Sequence, residues 1–167
     1  MKKIILFTTL AISSFNFSCK KGDTGPAGKD GTNGNANIST STFQVNTSAW
    51  VNGSNYWYVD IPVSALTSSN HGAAAVEVFF STNSGVNWHA VPYTAVSSTD
   101  YFMGFATGVG LTEIQWTYNG VGNGSDPNTF FGATCQFKIV VIPPAMKKPG
   151  VNTHSYNELK AAYNLKD

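Results

Sequence analysis

The chain has no arginine among its 167 residues, and charged side chains of every kind make up only 11% of it. Between Asn37 and Ile142 the single basic residue is Lys138, set against Asp60, Glu77, Asp100, Glu113 and Asp126. Five acids against one base leave this segment with four net negative charges, hidden behind the formal +1 of the whole chain. Nucleic-acid binding needs a basic surface that pairs with phosphates, so this composition excludes it. Long hydrophobic runs are missing as well. The uncharged apolar stretch "IILFTTLAISSFNF" covers 14 residues, short of the roughly 20 that a helix needs to cross a bilayer. Cysteine is limited to Cys19 and Cys135. The three histidines, His71, His89 and His154, show no ligand spacing of the H-x-x-x-H kind, so no metal site and no cofactor are expected. No nucleophile elbow is present. The acids of the body are widely separated, and Asp60 and Glu113, on the polar phase of strands, read as solvated side chains. The chain is therefore expected not to be an enzyme.

What is present begins at Met1. Lys2 and Lys3 precede the apolar run, and a basic start before a short hydrophobic segment is the pattern of a signal peptide. The alternative is a buried N-terminal strand or helix. Ser18-Cys19 resembles a bacterial lipobox, with Asn16 standing where a branched aliphatic residue is usual. The resemblance implies that the chain is cleaved before Cys19 and that its thiol is acylated, for example by palmitate. Each buried methylene then contributes about 0.8 kcal/mol, and more than one acyl chain makes a stable anchor. A lipidated Cys19 leaves Cys135 without a partner, whereas a plain thiol can pair with it in an oxidising compartment. Cys135 lies on the apolar phase of "FFGATCQFKIVV" with Phe131, Ala133, Phe137, Ile139 and Val141, where a cysteine behaves as a small buried hydrophobe.

Directly behind Cys19, Gly22, Gly25, Gly28, Gly31 and Gly34 keep strict register, and Asn37 breaks it. The tract resembles collagen's Gly-X-Y repeat, in which only glycine fits the crowded axis of three chains. With one proline to stiffen it, it reads as a solvated spacer rather than a standing triple helix. Extended, roughly 15 residues at roughly 3.1 Å each reach about 45 Å from the anchor. Residues 1 to about 36, together with the ending "YNELKAAYNLKD", resemble small lipoproteins of Gram-negative bacteria that carry a short collagen-like stretch after the acylated cysteine. That resemblance implies an outer-membrane tether on the periplasmic or cell-surface side, and names no activity. The chain divides into a signal peptide (1–18), a lipidated cysteine with a collagen-like stalk (19–36), a β-sandwich (37–142), and a proline-rich linker with a C-terminal helix (143–167).

Period-two patterning dominates the body. Trp57, Val59, Ile61 and Val63 share one phase, and Tyr56, Tyr58 and Asp60 the other. Val76, Val78 and Phe80 alternate with Glu77 and Phe79, and Ile114, Trp116 and Tyr118 alternate with Glu113, Gln115 and Thr117. Residues 130–142 read as the longest strand, and 38–45, 87–94 and 100–107 as shorter ones. Pro62 assigns its strand to an edge or bulge. The expected fold is all-β, an antiparallel β-sandwich of seven or eight strands with one short C-terminal helix. An up-and-down barrel is the alternative closure. Ser155 and Glu158 form a capping box ahead of a Tyr156, Leu159, Tyr163 stripe, which predicts a helix over about 156–164 that docks on its own domain.

"STNSGVNW", residues 81–88, resembles the Asp-box turn, with Ser81, Gly85 and Trp88 matching and Asn83 in the aspartate position. Asn83 is expected to accept a backbone N–H two residues on, Gly85 to adopt positive φ, and Trp88 to fold back over the hairpin. Such a box is scaffold, and one copy in a chain this short argues against a propeller. Candidate ligand-facing aromatics are Tyr56, Tyr58, Tyr93 and Tyr101. The functional expectation is a membrane-anchored, non-enzymatic display module that meets an unknown protein or glycan. A carbohydrate-binding or adhesive module is the alternative, and a secreted hydrolase the third.

Overall fold

The computed structural model describes residues 37–95, 101–118, 124–131 and 134–166. The expected signal peptide (1–18) and the lipidated cysteine with its stalk (19–36) lie outside the described residues. The body is all-β. Its strands are β1 (Ser39–Asn46), β2 (Val51–Asn52), β3 (Trp57–Pro62), β4 (Ala75–Ser81), β5 (His89–Val91), β6 (Tyr93–Ala95), β7 (Tyr101–Gly108), β8 (Leu111–Tyr118) and β9 (Thr134–Ile142). They form two antiparallel sheets, a four-stranded one in the order β1-β9-β4-β5 and a five-stranded one in the order β2-β3-β8-β7-β6. The described residues thus hold nine strands rather than seven or eight. One addition is β2, which pairs only with Trp57 and Tyr58. The other arises because 87–94 is two strands, split by Pro92, whose missing N–H cannot donate to a ladder; β5 joins one sheet and β6 the other. Pro62 sits at the end of β3 beyond the reach of β2, at the open edge its chemistry requires.

The inward phases are the ones the alternation predicts. Val59, Ile61, Met103, Ile114 and Trp116 from the five-stranded sheet meet Val78, Phe80, Cys135, Phe137, Ile139 and Val141 from the other. Residues 130–142 are not one strand. Asp126 Oδ1 accepts the Asn128 N–H at 2.9 Å, and with Pro127 it starts a single helical turn, α1 (Asn128–Phe131). β9 begins only at Thr134, although Phe131 still reaches the core.

The four-stranded sheet is buried on both faces. Phe79, Val140 and Ile142 point away from the main core and pack under Tyr156, Leu159, Tyr163 and Leu165. These belong to helix α2 (Tyr156–Tyr163) and its exit. Ser155 caps the helix by accepting the Glu158 N–H, and Asn164 closes it in the left-handed region at φ 50°. Eight residues fall short of the roughly 12–15 needed for a marginally stable isolated helix. Packing holds it instead: full burial of one leucine such as Leu159 contributes about 1.5–3 kcal/mol. The helix therefore docks on its own domain, as its apolar stripe predicts.

Candidate functional site

The 81–88 turn is built by reciprocal side-chain bonds. The Ser81 hydroxyl donates to Asn83 Oδ1 at 2.8 Å and accepts the Gly85 N–H at 3.0 Å. Asn83 Oδ1 accepts from the Asn87 N–H at 3.0 Å, four residues on rather than the expected two. Gly85 has φ +81°, and a Cβ there would stand 3.2 Å from Trp88 Cζ2, so the indole folds back against it. Beneath Trp88 lies Lys138, only 3% exposed. Its ammonium is 4.4 Å from the Trp88 ring centre and 4.1 Å from that of Tyr156, and donates to the Tyr156 hydroxyl at 2.9 Å. The turn thus holds a lid over the one cation of the sandwich and ties the hairpin to α2, which is a scaffold role. Clefts of about 350 Å³ and about 420 Å³ share Trp88 as a wall. Much of their polar lining is already engaged, in the turn, in the Ser155 cap and in the Lys138–Tyr156 pair.

The four candidate tyrosines do not form one surface. Tyr101 is a correction: it is 4% exposed, stacked on Trp116 at 5.0 Å, with its hydroxyl accepting the Ser125 N–H at 2.9 Å. It starts β7 on the inward phase that Met103 continues. Tyr93 is half-buried, with its ring 4.9 Å from that of Phe80, and lines a cleft of about 270 Å³ with His89, Phe130 and Phe131. Tyr56 and Tyr58 alone share the outer face of the five-stranded sheet. Their rings meet edge to face at 5.9 Å. Cys19 lies outside the described residues, and Cys135 is a buried free thiol whose pKa burial pushes up to about 12.

Register assembles that outer face. Residues directly opposite one another in antiparallel strands share a face. Tyr58 pairs with Gln115 and Gln115 with Gly104; Asp60 pairs with Glu113 and Glu113 with Ala106. Gly104 has no Cβ, and one placed there would lie 2.9 Å from Phe102 Cε1, so the Phe102 ring lies down over it. The result is an aromatic pair at the start of β3, Tyr56 just before it and Tyr58 on it, and an exposed phenylalanine on β7, roughly 10 Å apart across two strand spacings, with Gln115 and Glu113 on the strand between them. Gln115 Nε2 donates to Glu113 Oε1 at 2.6 Å, and the Tyr56 hydroxyl reaches the same oxygen at 3.4 Å. The Glu113 carboxylate, with partial desolvation behind it, raises the Tyr56 phenol above its ordinary pKa. Asp60 is exposed beside them. In the sequence, Phe102 stands among the aromatics of strands near Tyr56 and Tyr58, but Gln115 carries no signal for this face, because which strands lie side by side cannot be read from alternation.

A β-sandwich with one sheet covered by its own C-terminal segment, and with half-buried and exposed side chains on the outer face of the other, is the class the described residues fall in. The chain matches no protein-family model, no curated protein and no solved structure. Among the described residues, no three His, Cys, Asp or Glu side chains come together as a metal-holding group.

Proposed function

We propose that the chain is an envelope lipoprotein, held at the outer membrane by an acylated Cys19 and a Gly-X-Y stalk, that presents the outer face of its five-stranded sheet to a ligand and performs no catalysis. One observation carries the interaction role. The four-stranded sheet is closed by α2, while on the outer face of the five-stranded sheet, among the described residues, Asp60 and Phe102 are exposed and Tyr56, Tyr58, Gln115 and Glu113 half-buried. Asp60 and Glu113 are cross-strand neighbours on that one face. The tether is supported by Ser18-Cys19 and the glycine register behind it.

Two measurements test this. Cys19→Ser is expected to move the protein from the membrane fraction to the soluble one; retention in the membrane refutes the tether. Hydroxyl-radical footprinting of envelope-bound against purified protein is expected to show Tyr58 and Phe102 protected in the envelope. Equal oxidation in both refutes the interaction face.

A further inference from the structure

The outer face of the five-stranded sheet carries a charge arrangement that no hydrogen bond or ion pair to a cation balances among the described residues. Asp60 and Glu113 stand directly opposite each other on β3 and β8, and like charges so placed destabilise a sheet. Glu113 is bonded to a neutral amide and a phenol, not to a cation. Among the described residues of 37–142 the sole lysine is Lys138, which is buried on the other sheet. The later lysines belong to the segment that covers that same opposite sheet. A ligand that brings positive charge therefore relieves a repulsion as well as making a contact, and an anionic one adds to it.

The rest of the face narrows the ligand further. Tyr58 and Phe102 offer apolar ring surface at two points, with hydrogen-bonding groups between them on β8. Phe102 is 41% exposed, lying over Gly104 rather than standing off the sheet. Rings on an open face stack on the C–H faces of sugar rings, while the carboxamide and carboxylates meet their polar substituents. The separation of the two aromatic points suits an extended oligomer better than a single small molecule. Resting on the reading of this face as the interaction surface, we propose that it binds an oligosaccharide bearing free amino groups, stacked on Tyr58 and Phe102 with its ammonium groups at Glu113 and Asp60.

The test is titration of the full-length, detergent-solubilised protein with three oligosaccharides: a glucosamine oligomer, its fully N-acetylated counterpart and a galacturonate oligomer, with oligolysine as a charge control. The glucosamine oligomer is expected to bind about tenfold more tightly than the N-acetylated one, the preference shrinking as salt rises, and galacturonate more weakly than both. Tyr58→Ala should weaken both glucosamine-type ligands about tenfold, while Tyr58→Phe, which keeps the ring, retains affinity. Glu113→Gln should remove the preference for free amines, bringing the two affinities together. Galacturonate binding as tightly as glucosamine, or oligolysine matching it with no effect of Tyr58→Ala, overturns the proposal. Silence of all three sugars overturns it too. If the footprint of Tyr58 in the envelope persists alongside that silence, only the ligand class is lost; if both fail, the face itself is.

Discussion

Replacing Gly85 with alanine perturbs the 81–88 turn at two levels that the structure separates. The first is the backbone: φ is +81°, where a Cβ crowds the following carbonyl at a cost of about 1–2 kcal/mol. The second is contact. The new methyl would lie 3.1 Å from Gln136 Oε1 and 3.2 Å from Trp88 Cζ2. Gln136 can swing aside, whereas Trp88 is held over Lys138, so overpacking adds about 1 kcal/mol, the low end of its usual range. Together the change costs about 2–3 kcal/mol. The body beyond the stalk has about 130 residues, for which roughly 3–5 °C of melting temperature is lost per kcal/mol. The expected drop is then about 6–15 °C by circular dichroism. Gly110 is the control. It has φ +80°, but a Cβ there would have nothing within 4 Å of it, so Gly110→Ala carries only the backbone cost of about 1–2 kcal/mol. A Gly85→Ala protein no less stable than Gly110→Ala would refute the claim that Trp88 is packed down on the turn. A melting temperature unchanged by either would refute the strain argument as a whole.

Three further outcomes are expected. Tyr156→Phe removes the hydroxyl that accepts from the buried Lys138 ammonium and should lower stability by about 1–3 kcal/mol, read as a shift in urea midpoint at constant slope; an unmoved midpoint would show that the hydroxyl is dispensable. Cys135 should resist iodoacetamide at pH 8 in the native protein and react in urea, since burial holds its pKa at about 12 and only the thiolate attacks. Because that value lies above the unfolded one, the stability of the neutral buried thiol is full below about pH 9 and is lost as pH rises toward 12. Glu77 has its pKa raised by burial, against the opposing hydrogen bond to Thr153 and the charges of His154 and Lys147. Its contribution is full below the unfolded carboxylate pKa and is lost as pH rises through the folded value. Glu77→Gln should therefore be nearly neutral in acid and gain on wild type as pH approaches 7; a gap that shrinks with pH contradicts this.

Much of the fold is legible in local pattern, and the reason is geometric. Side chains on a strand alternate between faces, so Val59, Ile61, Ile114 and Trp116 announce the core before any partner strand is known. Turns and caps are local too: Ser81, Asn83 and Gly85 close one hairpin, and Ser155 and Glu158 start one helix, with partners at most four residues apart. Boundaries blurred where a local breaker competed with a long apolar run, as at Pro92 and at Asp126-Pro127. What no pattern supplies is adjacency between segments distant along the chain. Lys138 falls on the phase opposite Phe137 and Ile139, and it is Trp88 and Tyr156, arriving from either side of it in sequence, that bury it. Tyr101 and Tyr58 look alike by composition, and only pairing in the sheet turns one into core and leaves the other half-buried on the outer face beside Gln115 and Glu113. Those contacts span tens of residues and are set by strand order and by which face α2 covers, quantities that belong to the folded assembly of strands and not to any short window of residues.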